Sequence, residues 1–392
     1  MNKKISVVVP IKGQYEYLKG MIAQAVTVKS HEFELLIQDN NQDNQEILDY
    51  LDQVDQSNIT YVHDASPKNM VENFESGIEN AQGEYITLLG SDDGFSSHIV
   101  TLAKLLSDQK IESCVTNKAI YYWPGMKFKA HHDRPSLTFT HGQGKTSFLN
   151  VIDELNNNLK EGMVVIGKLP SPYHGIIKKS ALDQVKAISG RYIPAATPDM
   201  AMAVALSCVV TSHVNVDLPF IISGQSYHSA GGKGARGEHK GDLKGKSFLP
   251  NDIELYWPDR IPKVWTGPTL YADSTYNALR NMNQLHLFKR FNYEANYAYI
   301  TSFFPEYSSM VQNQVQNRLM SLIKLSYYTL RLFLKRSGLF VLNALMSRFK
   351  VSHKHIEFHV QTSFHAQHSV DEYVERWIQK LSIQYQKEKS HV

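Results

Sequence analysis

The chain has 392 residues, of which 42% are hydrophobic and 20% charged, with 41 Lys and Arg against 38 Asp and Glu. Those proportions exclude disorder as the default for the bulk of it, and the length allows two domains or one domain with a long extension. A net charge of +3 is too small to name a partner, and no nucleic-acid partner is expected.

Residues 5–9 carry four β-branched side chains in five positions and read as a fully buried strand. A helical spacing follows at 15–26, a strand at 33–38, a helix at 44–54 and a strand at 59–63. Then come a helix at 70–80 with Gly83 as its stop signal, a strand at 85–89 and a helix at 97–107. Strand and helix alternating in this way argue for βαβ units and a parallel sheet. Ligands of such sheets sit beyond the carboxyl ends of the strands, which points to the loops after Val9, Gln38 and Leu89.

Residues 115–130 are aromatic with a two-fold pattern broken by Pro124-Gly125, and suggest a hairpin. Helices are expected at 146–156, 180–188 and 198–207, and strands at 173–177 and 209–216. Residues 224–245 are rich in Gly, Lys and Arg and read as a mobile segment or a domain boundary. Long helical patterns run from Leu270 to the end, so the expected division is 1–230, a linker at 231–269 and a helical region at 270–392.

The two cysteines, Cys114 and Cys208, lie in apolar runs and suit a reducing compartment. The first apolar run is too short for a signal peptide, and no stretch reaches the roughly 18 to 20 apolar residues that span a bilayer. A cytoplasmic location is therefore expected, with any membrane contact made from the surface.

Two loops are candidates for chemistry. Leu89-Gly90-Ser91-Asp92-Asp93-Gly94 sends two adjacent carboxylates off the end of a buried strand. Such a sequence is often only a turn. Side-by-side carboxylates also repel, however, and Mg²⁺ or Mn²⁺ relieves that repulsion when one or two carboxylates and substrate phosphates hold it. Gln38-Asp39-Asn40-Asn41-Gln42-Asp43-Asn44 is either an amide-rich loop capping a helix or a hydrogen-bonding rim for a nucleobase or ribose.

Taken together, Ser6-Val7-Val8-Val9-Pro10, the Gln38–Asn44 block and the run from Asn73 through Gly83 to Asp92-Asp93 resemble glycosyltransferase family 2. The order and spacing of all three blocks match, and the resemblance continues weakly to about residue 230. It implies an α/β GT-A fold over residues 1–230 and inverting transfer from a nucleotide-diphospho-sugar, with UDP the expected nucleotide. It also implies that Pro10 borders the nucleotide through its backbone, Asp39 meets the base, and Asp92 lies by the ribose and donor. Asp93 would bind Mn²⁺ or Mg²⁺ bridging the diphosphate. Two positions depart from the pattern: Ile11-Lys12-Gly13 follows the first proline, and Gly90 stands where an Asp is frequent.

In that family an Asp or Glu at the start of a later helix is the general base. Asp199 in Thr197-Pro198-Asp199-Met200 fits, beside the simpler reading of a helix cap. His174 would border the acceptor, and His228 would be a further metal ligand. Lys233, Arg236, Lys240, Lys244 and Lys246 would fold over the diphosphate.

Between Glu306 and Glu357 there is no acidic residue, while Arg318, Lys324, Arg331, Lys335, Arg336, Arg348, Lys350 and Lys354 punctuate an apolar pattern. Helices of this kind lie on an anionic membrane, pack on the core or join a second copy in an oligomer. The expected acceptor is a saccharide or lipid-linked saccharide in cell-envelope polysaccharide synthesis. The alternative is a catalytically silent GT-A-like domain that binds nucleotide sugar or glycan. A nucleotidyltransferase is disfavoured, because the glycine- and lysine-rich loop after the first strand is absent.

Overall fold

The computed structural model describes residues 3–126, 134–244, 246, 249–250, 252–315, 318–348 and 354–389. The first seven elements follow the sequence pattern closely: β1 (Ile5–Ile11), α1 (Tyr15–Thr27), β2 (Phe33–Asp39), α2 (Gln45–Leu51), β3 (Ile59–His63), α3 (Met70–Asn80) and β4 (Tyr85–Leu88). Strand β1 lies between β2 and β4 and runs parallel to both, pairing Ile11 with Asp39 and Val8 with Leu88. Its side chains alternate between two apolar layers: Val7 and Val9 join the core with α1, and Val8 joins the one with α3. Burial on both faces explains the unbroken apolar run.

Next come β5 (Gly94–Phe95), α4 (Ile99–Asp108), β6 (Ser113–Tyr122), β7 (Ser136–Thr140), β8 (Thr146–Phe148), α5 (Val151–Lys160), β9 (Gly175–Lys178), α6 (Lys179–Ser189) and α7 (Pro198–Leu206). The chain continues through β10 (His213–Gln225), α8 (Ala230–Ala235), α9 (Gly267–Asn281), α10 (Tyr293–Phe303), α11 (Ser308–Gln314), α12 (Arg318–Arg348), β11 (Lys354–Phe358) and α13 (Ser363–Lys389). The main sheet has the order β11-β7-β6-β9-β4-β1-β2-β3, a mixed sheet whose β3-β2-β1-β4 half is parallel.

Several expectations change here. The hairpin has its outgoing limb in β6 and a turn at Pro124-Gly125. Its returning limb is β7, pairing Tyr122 with Ser136, and residues 127–130 lie outside the described residues. The helix expected at 146–156 divides: Thr146 to Phe148 pair with β10, and Asn150 then caps α5 by accepting from the Ile152 and Asp153 N–H groups. The strand expected at 209–216 runs instead from His213 to Gln225, because it lies parallel to β6 along its whole length, through a bulge at Pro219. Gly224, expected to open a linker, is therefore inside a strand; the segment's last residue, Gly245, lies outside the described residues.

The C-terminal region also closes back on the first half. Strand β11 pairs with β7, and Val370, Val374 and Leu381 of α13 enter the core that contains β1 and α1. Asp371 of α13 accepts hydrogen bonds from Ser96 Oγ and the Ser97 N–H.

Two features set up the site. The segment 172–174 ahead of β9 runs along the end of β4: the Leu88 N–H donates to the Pro172 carbonyl at 2.7 Å, and the His174 N–H to the Leu88 carbonyl at 3.2 Å. Strand β10 crosses the turn after β4 so closely that a Cβ on Gly224 would lie 1.7 Å from the Asp92 carbonyl oxygen. Only glycine fits there.

Candidate active site

Asp92 and Asp93 leave the end of β4 as a buried acidic turn. Asp93 Oδ1 accepts the Gly224 N–H at 2.8 Å, and its Oδ2 accepts the Gly90 N–H at 2.8 Å. His174 Nε2 lies 2.7 Å from the same Oδ2. Asp92 Oδ2 accepts the Ser226 N–H at 3.2 Å, while Trp123 Nε1 donates to the Asp92 carbonyl at 2.8 Å. Burial raises the Asp92 carboxyl above its ordinary value, and the charge of Asp93 raises it further. Glycine at position 90 leaves room for this pair: a Cβ there would lie 3.2 Å from Asp92 Oδ1 and 3.3 Å from Asp93 Oδ2.

His174 holds φ +60°, a left-handed backbone that costs on the order of 1 kcal/mol and aims the ring at Asp93. Its other nitrogen, Nδ1, lies 3.2 Å from Lys118 Nζ. An ammonium only donates, so Nδ1 accepts and Nε2–H donates to Asp93. Burial lowers the Lys118 ammonium below its ordinary value, opposed by the charges of both Asp93 and Asp199. Tyr173 stacks on His174 with ring centroids 4.3 Å apart.

Asp199 stands in the first turn of α7, behind Pro198, and keeps some solvent contact. Its Oδ1 accepts the Met200 N–H at 2.8 Å, and its Oδ2 accepts the Tyr271 hydroxyl of α9 at 2.5 Å. Burial raises its carboxyl, and the Tyr271 bond partly offsets that. Thr197, the cap position, makes no side-chain cap bond; its hydroxyl donates to Ser274 Oγ at 2.7 Å. Neither residue caps the helix in the usual way: Thr197 makes no cap bond, and of the helix N–H groups Asp199 bonds only that of Met200.

Asp39 ends β2 fully buried. Its Oδ2 accepts the hydroxyls of Tyr15 at 2.6 Å and Tyr61 at 2.7 Å, and its Oδ1 accepts the Asn41 N–H at 2.9 Å and Asn41 Nδ2 at 2.7 Å. Both tyrosine hydroxyls are pushed up, by burial and then by this carboxylate. The amide loop is knitted inward too: Asn40 Nδ2 donates to the Asp64 and Ser66 carbonyls, and Gln42 Nε2 to that of Ala65. Pro10 is half-buried next to the end of β1. Beside it, the Asn40 N–H and Asn73 Nδ2 both bond the Ile11 carbonyl, and the side-chain oxygens of Asn40 and Asn73 are buried with no protein partner.

His228 is exposed, its ring edge-on to Tyr227 and two residues past Ser226. Of the basic residues beyond it, Arg236 pairs with Glu238 over the Tyr227 ring, Lys240 pairs with Glu306, and Lys246 lies over Trp265. Lys233 and Asp199 both act on the charge of His239.

A divalent cation with one or two protein carboxylates and a bound diphosphate fits this arrangement. Asp93 has donors on three of its four or so lone-pair positions, and the strained pair gains from a positive neighbour. No cluster of three His, Cys, Asp or Glu able to hold a metal occurs among the described residues, so phosphate and water would supply the remaining ligands.

The structure thus joins Asp92, Asp93, His174 and Lys118, while Asp199 acts on Lys118 through its charge and is bonded instead by Tyr271 and the Met200 N–H. Asp39 and Pro10 stand together at the neighbouring strand ends, and His228 is not brought into contact with the acidic pair. Lys118, Tyr271, Gly224 and Ser226 were not singled out from sequence. A lone lysine in a strand and a tyrosine in a helix carry no motif, and only the paired chain positions reveal them.

Residues 6–153, somewhat over a third of the chain, match the family described as Glycosyl transferase family 2, and this segment bears the parallel half of the mixed α/β sheet and the acidic turn. No curated protein matches it in sequence. Among solved structures, one of S. aureus TarS is 12% identical with a TM-score of 0.41, the match covering 57% of this chain and 37% of that one. TarS 1–349 in complex with UDP-GlcNAc is 12% identical with a TM-score of 0.45, over 82% of this chain and 78% of that one. A mannosyltransferase from Pyrobaculum calidifontis, in complex with GDP-Man and Mn²⁺, is 11% identical with a TM-score of 0.39, over 84% and 88%. These likenesses are too distant to speak for donor or acceptor.

Proposed function

We propose that this protein transfers a sugar, with inversion, from a nucleotide-diphosphate donor to a saccharide or lipid-linked saccharide of the cell envelope, with UDP the nucleotide expected. The observation that carries the reading is the buried Asp92-Asp93 turn past β4, with Asp93 bonded by the Gly90 and Gly224 N–H groups and by His174, whose other nitrogen meets Lys118. The charge of Asp199 also acts on Lys118, which supports placing the base candidate beside the acidic turn.

In this reading the nucleotide lies over the ends of β1 and β2, where Asn40 and Asn73 leave buried acceptor oxygens beside the Ile11 carbonyl. A base N–H or ribose hydroxyl would satisfy them. Pro10 borders it through its backbone. Asp39 reaches a base edge only if Tyr15 or Tyr61 gives way, and otherwise holds the loop that forms the pocket. Asp93, with His228 as a further candidate, would hold Mn²⁺ or Mg²⁺, which would offset the charge on the departing diphosphate, and Asp92 would lie by the ribose and donor. His174 fixes Asp93 through Nε2, and Lys118 fixes His174.

At the other end Asp199 takes the proton of the acceptor hydroxyl as its oxygen bonds the anomeric carbon and the sugar–phosphate bond breaks. Its raised carboxyl makes it a stronger base than an ordinary Asp, and Tyr271 orients it. A silent binding domain is the second reading, supported by how fully Asp39 and Asp93 are already hydrogen-bonded.

Release of nucleoside diphosphate from a panel of nucleotide sugars, with and without acceptor, tests the proposal. Asp199→Asn is expected to lose ~10²–10⁴ in kcat while binding donor normally. Unchanged transfer in that variant removes Asp199 as base, and no turnover of any donor by the wild type favours the silent domain.

A further inference from the structure

Among the described residues, the long helix α12 is attached through one side. Ser321 Oγ donates to Glu294 of α10 at 2.9 Å, Asn292 Nδ2 donates to the Tyr328 hydroxyl at 2.7 Å, and Leu325 packs on the cluster of Tyr297, Ile300 and Val311. Arg331 pairs with Glu161 at 2.7 Å, and Arg336 lies over the Phe303 ring. These contacts hold the helix firmly against the fold and fix which side faces out.

That outer side is apolar. Leu319 is 71% exposed, Phe333 66%, Leu334 59% and Leu330 56%, and Leu322, Ile323, Met320 and Tyr327 are exposed beside them. At 3.6 residues per turn these eight fall within one arc of about 160°, interrupted only by serines. Lys324, Arg331 and Lys335 follow directly along one edge of the arc, and Arg336 stands at the other. A contiguous exposed apolar face of this size marks an interaction surface. Charge decides among partners: no Asp or Glu occurs between Glu306 and Glu357, so the face complements a negatively charged surface. Where the apolar arc meets its basic edge there is a groove of about 560 Å³, whose lining includes the cations Lys160, Arg290 and Lys324, the rings of Tyr327 and Tyr328, and one carboxylate, Glu294, which accepts the Ser321 hydroxyl. It offers cations for a phosphate and aromatic rings for the boundary between headgroup and acyl chain. No described helix is long and apolar enough to cross a membrane, which suits a helix lying in the interface plane.

We infer that α12 docks the protein on an anionic lipid bilayer, its outer face sunk among the headgroups and the Lys160–Arg290–Lys324 groove seating a lipid phosphate. The inference rests on this face alone and does not depend on the donor chemistry. Its failure would leave the transferase reading standing.

Flotation of the full chain with phosphatidylcholine vesicles, with and without phosphatidylglycerol, tests it. The wild type should float with phosphatidylglycerol vesicles and be released by salt. Leu330→Asp/Phe333→Asp and Lys324→Glu/Lys335→Glu should each bind at least about tenfold more weakly. All four positions are exposed, so both variants should keep the wild-type Tm and full turnover of a water-soluble acceptor. Absence of binding to the anionic vesicles, or unchanged binding by the Leu330→Asp/Phe333→Asp variant, overturns the proposal. So does a lipid-free dimer that this variant abolishes, since the face would then belong to a second copy.

Discussion

Asp39 ends β2 and Asp93 lies just beyond β4, the two strands that flank β1; both are buried, and they differ in their surroundings. Asp39 accepts hydrogen bonds from four uncharged donors: two tyrosine hydroxyls, a backbone N–H and an amide. Asp93 has a second carboxylate as its chain neighbour, an imidazole at 2.7 Å and an ammonium one bond further on. A buried carboxylate satisfied by neutral donors is stable where it is and organises what surrounds it. A pair that repels itself keeps a demand for a proton or a cation, and that demand can be met by a ligand. On the proposed function, the same residue type would build the pocket at one end of the site and supply chemistry at the other.

Three substitutions sharpen or break that contrast, in order of expected effect. His174→Asn keeps a residue that tolerates positive φ but removes the imidazole holding Asp93; kcat/KM should fall ~10–100-fold. Wild-type kinetics would mean that the Lys118–His174–Asp93 chain is only structural.

Tyr271→Phe acts on the base. Asp199 must be deprotonated to work, so kcat/KM falls as pH drops through its raised value, and the Tyr271 bond lowers that value. Without the hydroxyl the acidic limb should move to higher pH, with a small loss at the plateau. A limb that stays in place contradicts the assignment of Asp199.

Tyr61→Phe removes one of the four donors to Asp39 and leaves Asn44 Nδ2 without its partner. Denaturant unfolding should show a loss of ~1–3 kcal/mol, with kcat little changed. A drop in kcat like that of His174→Asn would place Asp39 in the chemistry and erase the difference between the two ends.

Much of this was legible beforehand, for physical reasons that show where legibility stops. Strands buried on both faces are mostly apolar, so β1, β2 and β4 announced themselves despite the buried Ser6, Glu34 and Thr87, and with them the loops after β2 and β4. The helix that carries Asp199 was legible from the apolar pattern that follows it. From β4 onward most strands pair out of chain order, the β6-β7 hairpin apart, and periodicity says nothing about which strand lies beside which. The end of β10 therefore looked like a glycine-rich linker, although Gly224 and Ser226 hold the acidic turn through their N–H groups. His174 was weighed only as an acceptor-side residue. Nothing in its neighbours in sequence tells that a left-handed backbone turns it onto Asp93.

The most direct test of the account is calorimetric titration of UDP into the wild type and Asp93→Asn, each with Mn²⁺ and with chelator. The wild type should bind UDP at least about tenfold more tightly with Mn²⁺, a gain of ~1.4 kcal/mol, and Asp93→Asn should lose that gain. Equal affinity with metal and chelator, or an undiminished metal effect in Asp93→Asn, would contradict a diphosphate held through a cation at the end of β4.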